Sequence, residues 1–118
     1  MKYLIPMLLI TAFMAVPQLS KAQLIKTHLK ITVIDGTGNL VEGAEVQLFT
    51  SDADFKKEQN PATDKLKTDE KGVVVFKELK ARVYYVLATK GDLNNWGGGI
   101  QTDKLKEKKV NKINIVID

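Results

Sequence analysis

Apolar residues recur at every second position along most of this chain, and no stretch sustains the three-and-four spacing of an amphipathic helix. From Thr27 to Ile34, Leu29, Ile31 and Val33 share one side while His28, Lys30 and Thr32 share the other. That is the period of a strand with one buried face. Ala44, Val46 and Leu48 alternate with Glu45, Gln47 and Phe49, Tyr84, Val86 and Ala88 with Tyr85 and Leu87, and Ile113, Ile115 and Ile117 with Lys112, Asn114 and Val116. Between these runs lie turn signals. Asp35-Gly36-Thr37-Gly38-Asn39 and Asp69-Glu70-Lys71-Gly72 combine glycine with side chains that bond their own backbone.

The remaining segments are read from the same rules. Residues 51–61 are polar and contain Pro61, which predicts a long surface loop with a single helical turn around Asp54 to Glu58. A short strand is expected over residues 65–68 and another over 73–77, where the unbroken run Val73-Val74-Val75-Phe76 predicts coverage on both faces. Residues 90–103 hold Gly91 and Gly97-Gly98-Gly99 and predict irregular structure. Six to eight short strands, best counted as seven, make an all-β Greek-key β-sandwich the expected fold.

The first twenty-two residues have the layout of a secretory signal peptide: Lys2, an apolar run from Tyr3 to Val16, and Ser20-Lys21-Ala22 before Gln23. The run is interrupted by Pro6 and falls short of the roughly 20 residues that span a bilayer. We therefore expect residues 1–22 to be removed and residues 23–118 to form one exported domain without a membrane anchor, periplasmic or at the cell surface. The chain has no cysteine, which excludes disulfides, thiolate metal sites and a lipidated cysteine. The formal net charge of +4 includes Lys2 and Lys21, and Arg82 is the sole arginine. Nucleic acid is a poor match for such a surface, because arginine forks do most of the reading of bases and phosphates.

Several strings in the chain resemble the carboxypeptidase regulatory-like family, small Greek-key sandwiches of the transthyretin type. They are Val33-Ile34-Asp35, then Val41-Glu42-Gly43-Ala44-Glu45-Val46-Gln47-Leu48, then residues 68–79 from Thr68 through Leu79, and Tyr84 with Val86. The most specific are Glu42-Gly43-Ala44-Glu45-Val46 and Thr68-Asp69-Glu70-Lys71-Gly72. The resemblance spans roughly residues 30–89 and implies a fold without an activity. Arg82 stands where members usually carry glycine, so that turn is expected to be built differently. Residues 91–99 also resemble those of small exported proteins of unknown role from Bacteroidetes-type bacteria.

Catalysis finds little support. His28 is the only histidine, and Ser51 the only serine beyond residue 22, so a serine relay would depend on that one pair. The hydrolase branch of transthyretin-like sandwiches is marked by several histidines and a Tyr-Arg-Gly-Ser ending. Ile115-Val116-Ile117-Asp118 departs from it entirely. Asp52 and Asp54 lie in a polar, lysine-flanked loop where solvation is expected. No cofactor is implied. Asp35, Thr37 and Asn39 imitate the opening of a calcium loop, but Val46 stands where its bidentate acid belongs. Asp92, Asn94, Asn95 and Asp103 are weak metal candidates.

Asp92, Asn94, Asn95 and Trp96 are also candidates for ligand binding. Trp96, the sole tryptophan, has two readings on its glycine-rich loop. It is a platform for a sugar or peptide, with Asp92, Asn94 and Asn95 as polar partners, or it folds back to cap an open end of the sandwich. The area an indole buries favours the cap. The chain is thus read as a non-enzymatic exported module that binds another exported or surface protein, with strand addition at an open sheet edge as one route. A carbohydrate-binding module is the alternative and a hydrolase the remote one.

Overall fold

The computed structural model describes residues 26–118. The expected leader over residues 1–22 lies outside them. Among the described residues seven strands form in chain order: β1 His28–Asp35, β2 Glu45–Phe49, β3 Leu66–Lys67, β4 Val73–Phe76, β5 Tyr85–Lys90, β6 Leu93–Asn94 and β7 Val110–Ile117. Among the described residues a single short helix, α1 (Asp52–Lys57), follows β2. The strands make two sheets, a three-stranded one in the order β4-β1-β7 and a four-stranded one in the order β3-β2-β5-β6. This is the expected β-sandwich. Its pairings are antiparallel except that of β1 with β7, which is parallel over the full length of both strands.

The core lies between the sheets and is filled by the alternation read in the sequence. Leu29, Ile31 and Val33 from β1 and Ile115 and Ile117 from β7 meet Val46 and Leu48 from β2 and Val86 and Ala88 from β5. Val74 and Phe76 complete it, whereas Val73 and Val75 are half-buried. The expectation that β4 is covered on both faces is therefore corrected. Its outer residues lie beside Thr32 and Lys30 of β1 on an open sheet face.

The other sheet carries a second apolar cluster on its outer face. Phe49 and Leu87 point away from the main core and are covered by Phe55 of α1, with Tyr85 and Ile100 packed at the margin. The helical turn expected near Asp54 forms because Ser51 caps it, its hydroxyl accepting the Asp54 amide at 3.1 Å. Phe55, fully buried, makes this turn part of the fold rather than a surface loop.

Two turns owe their form to different residues. Asp69 closes the β3–β4 connection as expected, its carboxylate accepting the Lys71 and Val73 amides at 2.8 and 3.0 Å. Thr68 does not share that task. Its hydroxyl accepts the Ala44 amide at 2.9 Å and donates to the Val41 carbonyl at 2.6 Å, pinning the start of β2. At Gly43 an added Cβ would meet nothing nearer than Lys90 Nζ at 3.8 Å. Its φ of +77° is what requires glycine.

Arg82 ties together the chain segments that flank β2 and β5. The guanidinium donates to the Thr50 carbonyl at 3.0 Å and lies over the Tyr84 ring, tying the start of β5 to the end of β2.

Candidate functional site

The residues singled out in the β5–β7 connection serve different ends. Asn95 is 1% exposed. Its side-chain oxygen accepts the Ala88 amide at 3.0 Å, and its Nδ2 donates to the Val86 and Gly99 carbonyls at 2.8 and 3.3 Å. The amide thus stands in for a neighbouring strand along β5, and its polar atoms are committed to backbone. Asn94 Oδ1 accepts the Trp96 amide at 3.0 Å. Asp92 and Asp103 are exposed. Among the described residues, no three or more His, Asp or Glu side chains gather where a metal ion would be held.

Trp96 follows neither expected course fully. Its ring lies 4.7 Å from that of Phe55, centroid to centroid, at a tilt of 47°. It therefore extends the second cluster over the outer face of the four-stranded sheet, and does not cap an open end of the sandwich. The indole is still 41% exposed.

His28 and Ser51 are both occupied by backbone. His28 Nδ1 accepts the Glu78 amide at 3.1 Å, and Ser51 caps α1. The first is on β1 and the second follows β2, in opposite sheets.

Among the described residues the longest open sheet edge is that of β7. Both long strands of the four-stranded sheet are covered on each side. Beyond β3, β2 is extended by the Ala62 amide, which donates to Leu48 O at 2.8 Å, and by the Thr63 hydroxyl, which accepts from Leu48 N at 3.1 Å. Beyond β6, β5 is met by Asn95 and by the Ile100 carbonyl, which accepts the Val86 amide at 2.7 Å. The end strands β3 and β6 are only two residues each, the usual way of blunting an edge.

In the three-stranded sheet, β7 is an end strand of eight residues. His28 N donates to Lys109 O at 2.9 Å and sets the parallel ladder with His28 beside Val110. In such a ladder alternate residues turn both backbone groups toward the neighbour. Residues 111, 113, 115 and 117 therefore bond β1, while the N–H and C=O of Val110, Lys112, Asn114 and Val116 point to the other side. At the far end Asp118 is held by Asn94, its amide donating to Asn94 O at 3.1 Å. The open length is thus 110–116. A recess beside it is lined by residues 102–106 and 109–113.

Sequence reasoning anticipated an open edge but did not say which. The signal was the length of β7 against the shortness of the other end strands, and the parallel pairing that exposes β7 was not visible from alternation alone.

No family model matches the chain, and no curated protein matches it. Solved structures do. The pilus 2b backbone protein of group B streptococcus aligns with a TM-score of 0.57 at 17% identity, over 77% of this chain and 40% of that one. The major pilin subunit of Bacillus cereus aligns with a TM-score of 0.49 at 18% identity, over 79% of this chain and 30% of that one. The chain thus spans well under half the length of these proteins. The likeness to the first is one of fold, the β-sandwich. Among the described residues no helix is long and apolar enough to cross a membrane.

Proposed function

We propose that this protein is an exported, non-enzymatic β-sandwich module that binds another protein chain, in the periplasm or at the cell surface, by accepting a strand along β7. The observation that carries this reading is the open edge itself. Four residues in a row of alternates, Val110, Lys112, Asn114 and Val116, present unpaired backbone donors and acceptors along a strand that is rich in β-branched side chains. Main-chain bonds of this kind supply affinity in strand addition, and the flanking side chains supply selectivity. A leader-like start and the fold shared with a pilus backbone protein support an exported structural or protein-interaction setting. The strings shared with carboxypeptidase regulatory-like domains support a scaffold of the same kind.

The carbohydrate alternative keeps Asp92 and the exposed part of Trp96 but finds the Asn95 amide already committed. It fails if Trp96→Ala leaves every glycan-array signal unchanged.

The reading is tested by placing a photo-crosslinking residue at Asn114 in the exported protein, with Lys56 on α1 as the control position, and irradiating intact cells. Protein adducts formed at 114 and absent at 56 are expected. No adduct at 114, or equal labelling at both, would overturn it.

A further inference from the structure

We propose that the strand received by β7 is β7 of a second copy of this chain, antiparallel about a two-fold axis passing beside Ile113. The inference rests on the open edge described above and names its partner.

Four features of the edge select that occupant. First, an isologous pair must be antiparallel, and antiparallel pairing sets residues of like parity opposite one another, so the outward-facing Val110, Lys112, Asn114 and Val116 bond only among themselves. Centred on Ile113, Val110 lies opposite Val116 of the second copy and Lys112 opposite its Asn114. All four outward residues are used on each side.

Second, this register joins exposed apolar surface. Val110 and Val116 are 47% and 45% exposed, and each would cover the other across the axis. Val116 also lies beside Ile34 of β1, which is bridged to Leu40, itself 56% exposed. The pairing therefore continues a line of apolar residues from one copy into the next.

Third, the ends of the strand are complementary in charge. Lys108 and Lys109 precede β7 and Asp118 follows it, so the antiparallel pair sets the basic start of one strand against the acidic end of the other.

Fourth, neighbouring registers are worse. A slip of two residues one way sets Lys112 against Lys112, two like charges directly opposed. A slip of two the other way sets Val110 against Asp118, whose backbone Asn94 already holds. A slip of one sets the outward residues opposite 111, 113, 115 and 117, whose backbone groups already bond β1.

An edge pair of this length buries little area, so association in the micromolar range is expected. The test is light scattering on the exported protein across a dilution series, together with two variants on the open side. Asn114→Pro removes an outward N–H while the β1 ladder, carried by the odd-numbered residues, is untouched. Val110→Lys places a charge opposite Val116. The mass should rise from one chain to two with concentration, and each variant should weaken association at least tenfold while keeping the native circular dichroism.

The register is tested separately, because the chain has no cysteine of its own. Ile113→Cys sits in a non-hydrogen-bonded pair with itself, where Cα atoms about 4.5 Å apart suit a disulfide. It should cross-link on oxidation far more completely than Lys112→Cys. A single-chain mass at every concentration, a dimer that neither variant weakens, or cross-linking that favours position 112 would overturn the proposal. A protein that stays single yet gives adducts with a different protein at position 114 would overturn self-pairing and leave the strand-acceptor reading standing.

Discussion

Trp96 lies on Phe55, the two ring centroids 4.7 Å apart, and this contact closes the apolar cluster on the outside of the four-stranded sheet. Phe55 is fully buried, so Phe55→Ala should cost about 3–5 kcal/mol, a large part of the stability of a domain this small. Trp96→Ala should cost less, about 1–2 kcal/mol, because the ring is already part-exposed. Urea titrations measure both. As the sole tryptophan, Trp96 also reports on its neighbour: in folded Phe55→Ala its emission should shift to the red, and an unchanged spectrum would show that the contact is not made.

Asn95 takes the place of a strand along β5. Asn95→Ala should destabilise by about 1–3 kcal/mol, since the Ala88 amide and Val86 carbonyl lose their partners inside the fold. Asn95→Asp keeps the acceptor but sets a buried carboxylate against the Val86 and Gly99 carbonyl oxygens, and should destabilise at least as much. Hydrogen exchange at Ala88 gives the local readout: its amide should exchange much faster in Asn95→Ala than in Asn95→Asp.

Gly72 and Gly43 share a left-handed backbone but differ in surroundings. At Gly72 a Cβ would sit 2.8 Å from the Val33 carbonyl oxygen and 3.1 Å from the Val41 amide, with φ at +75°. At Gly43 only the conformation resists, so Gly43→Ala should cost about 1–2 kcal/mol. Gly72→Ala should cost distinctly more. Equal losses in thermal melts would contradict the close approach of the β3–β4 turn to β1.

Two turn carboxylates make the fold sensitive to acid. The Asn39 amide, with Thr37, holds Asp35 below its ordinary value of 3.8. The Val73 and Lys71 amides do the same for Asp69, aided by the lysine charges at 71 and 30. A carboxyl depressed in the folded state stabilises it fully above the unfolded value, and that contribution is lost as pH falls through the folded one. Stability should therefore be flat with respect to these groups above about pH 5 and decline below about pH 4. In Asp35→Asn and Asp69→Asn the decline should be shallower than in the parent, as followed by denaturation midpoints across that range.

Much of the sandwich was legible because one-sided burial leaves a period of two in the residues. Leu29, Ile31 and Val33 or Ile113, Ile115 and Ile117 have no other reading that buries them together. The second cluster was not legible. Phe49 and Leu87 fall on the face that alternation assigns to solvent, and only the packing of Phe55 and Trp96 over them explains their type. Val73 to Phe76 misled in the opposite direction, since β-branched residues suit a half-exposed strand as well as a covered one. In the loop, Asn94 and Asn95 look alike in sequence. Their separate tasks depend on β5 passing beside one of them, a long-range fact that no local pattern records.

The account stands on which backbone groups of β7 are free, and residue-resolved amide hydrogen exchange in dilute solution measures that directly. Ile113, Ile115 and Ile117 should be protected by β1, while the amides of Lys112, Asn114 and Val116 exchange rapidly and slow only as concentration rises. Protection of both sets at every dilution would show the edge to be covered within a single chain, and would contradict it.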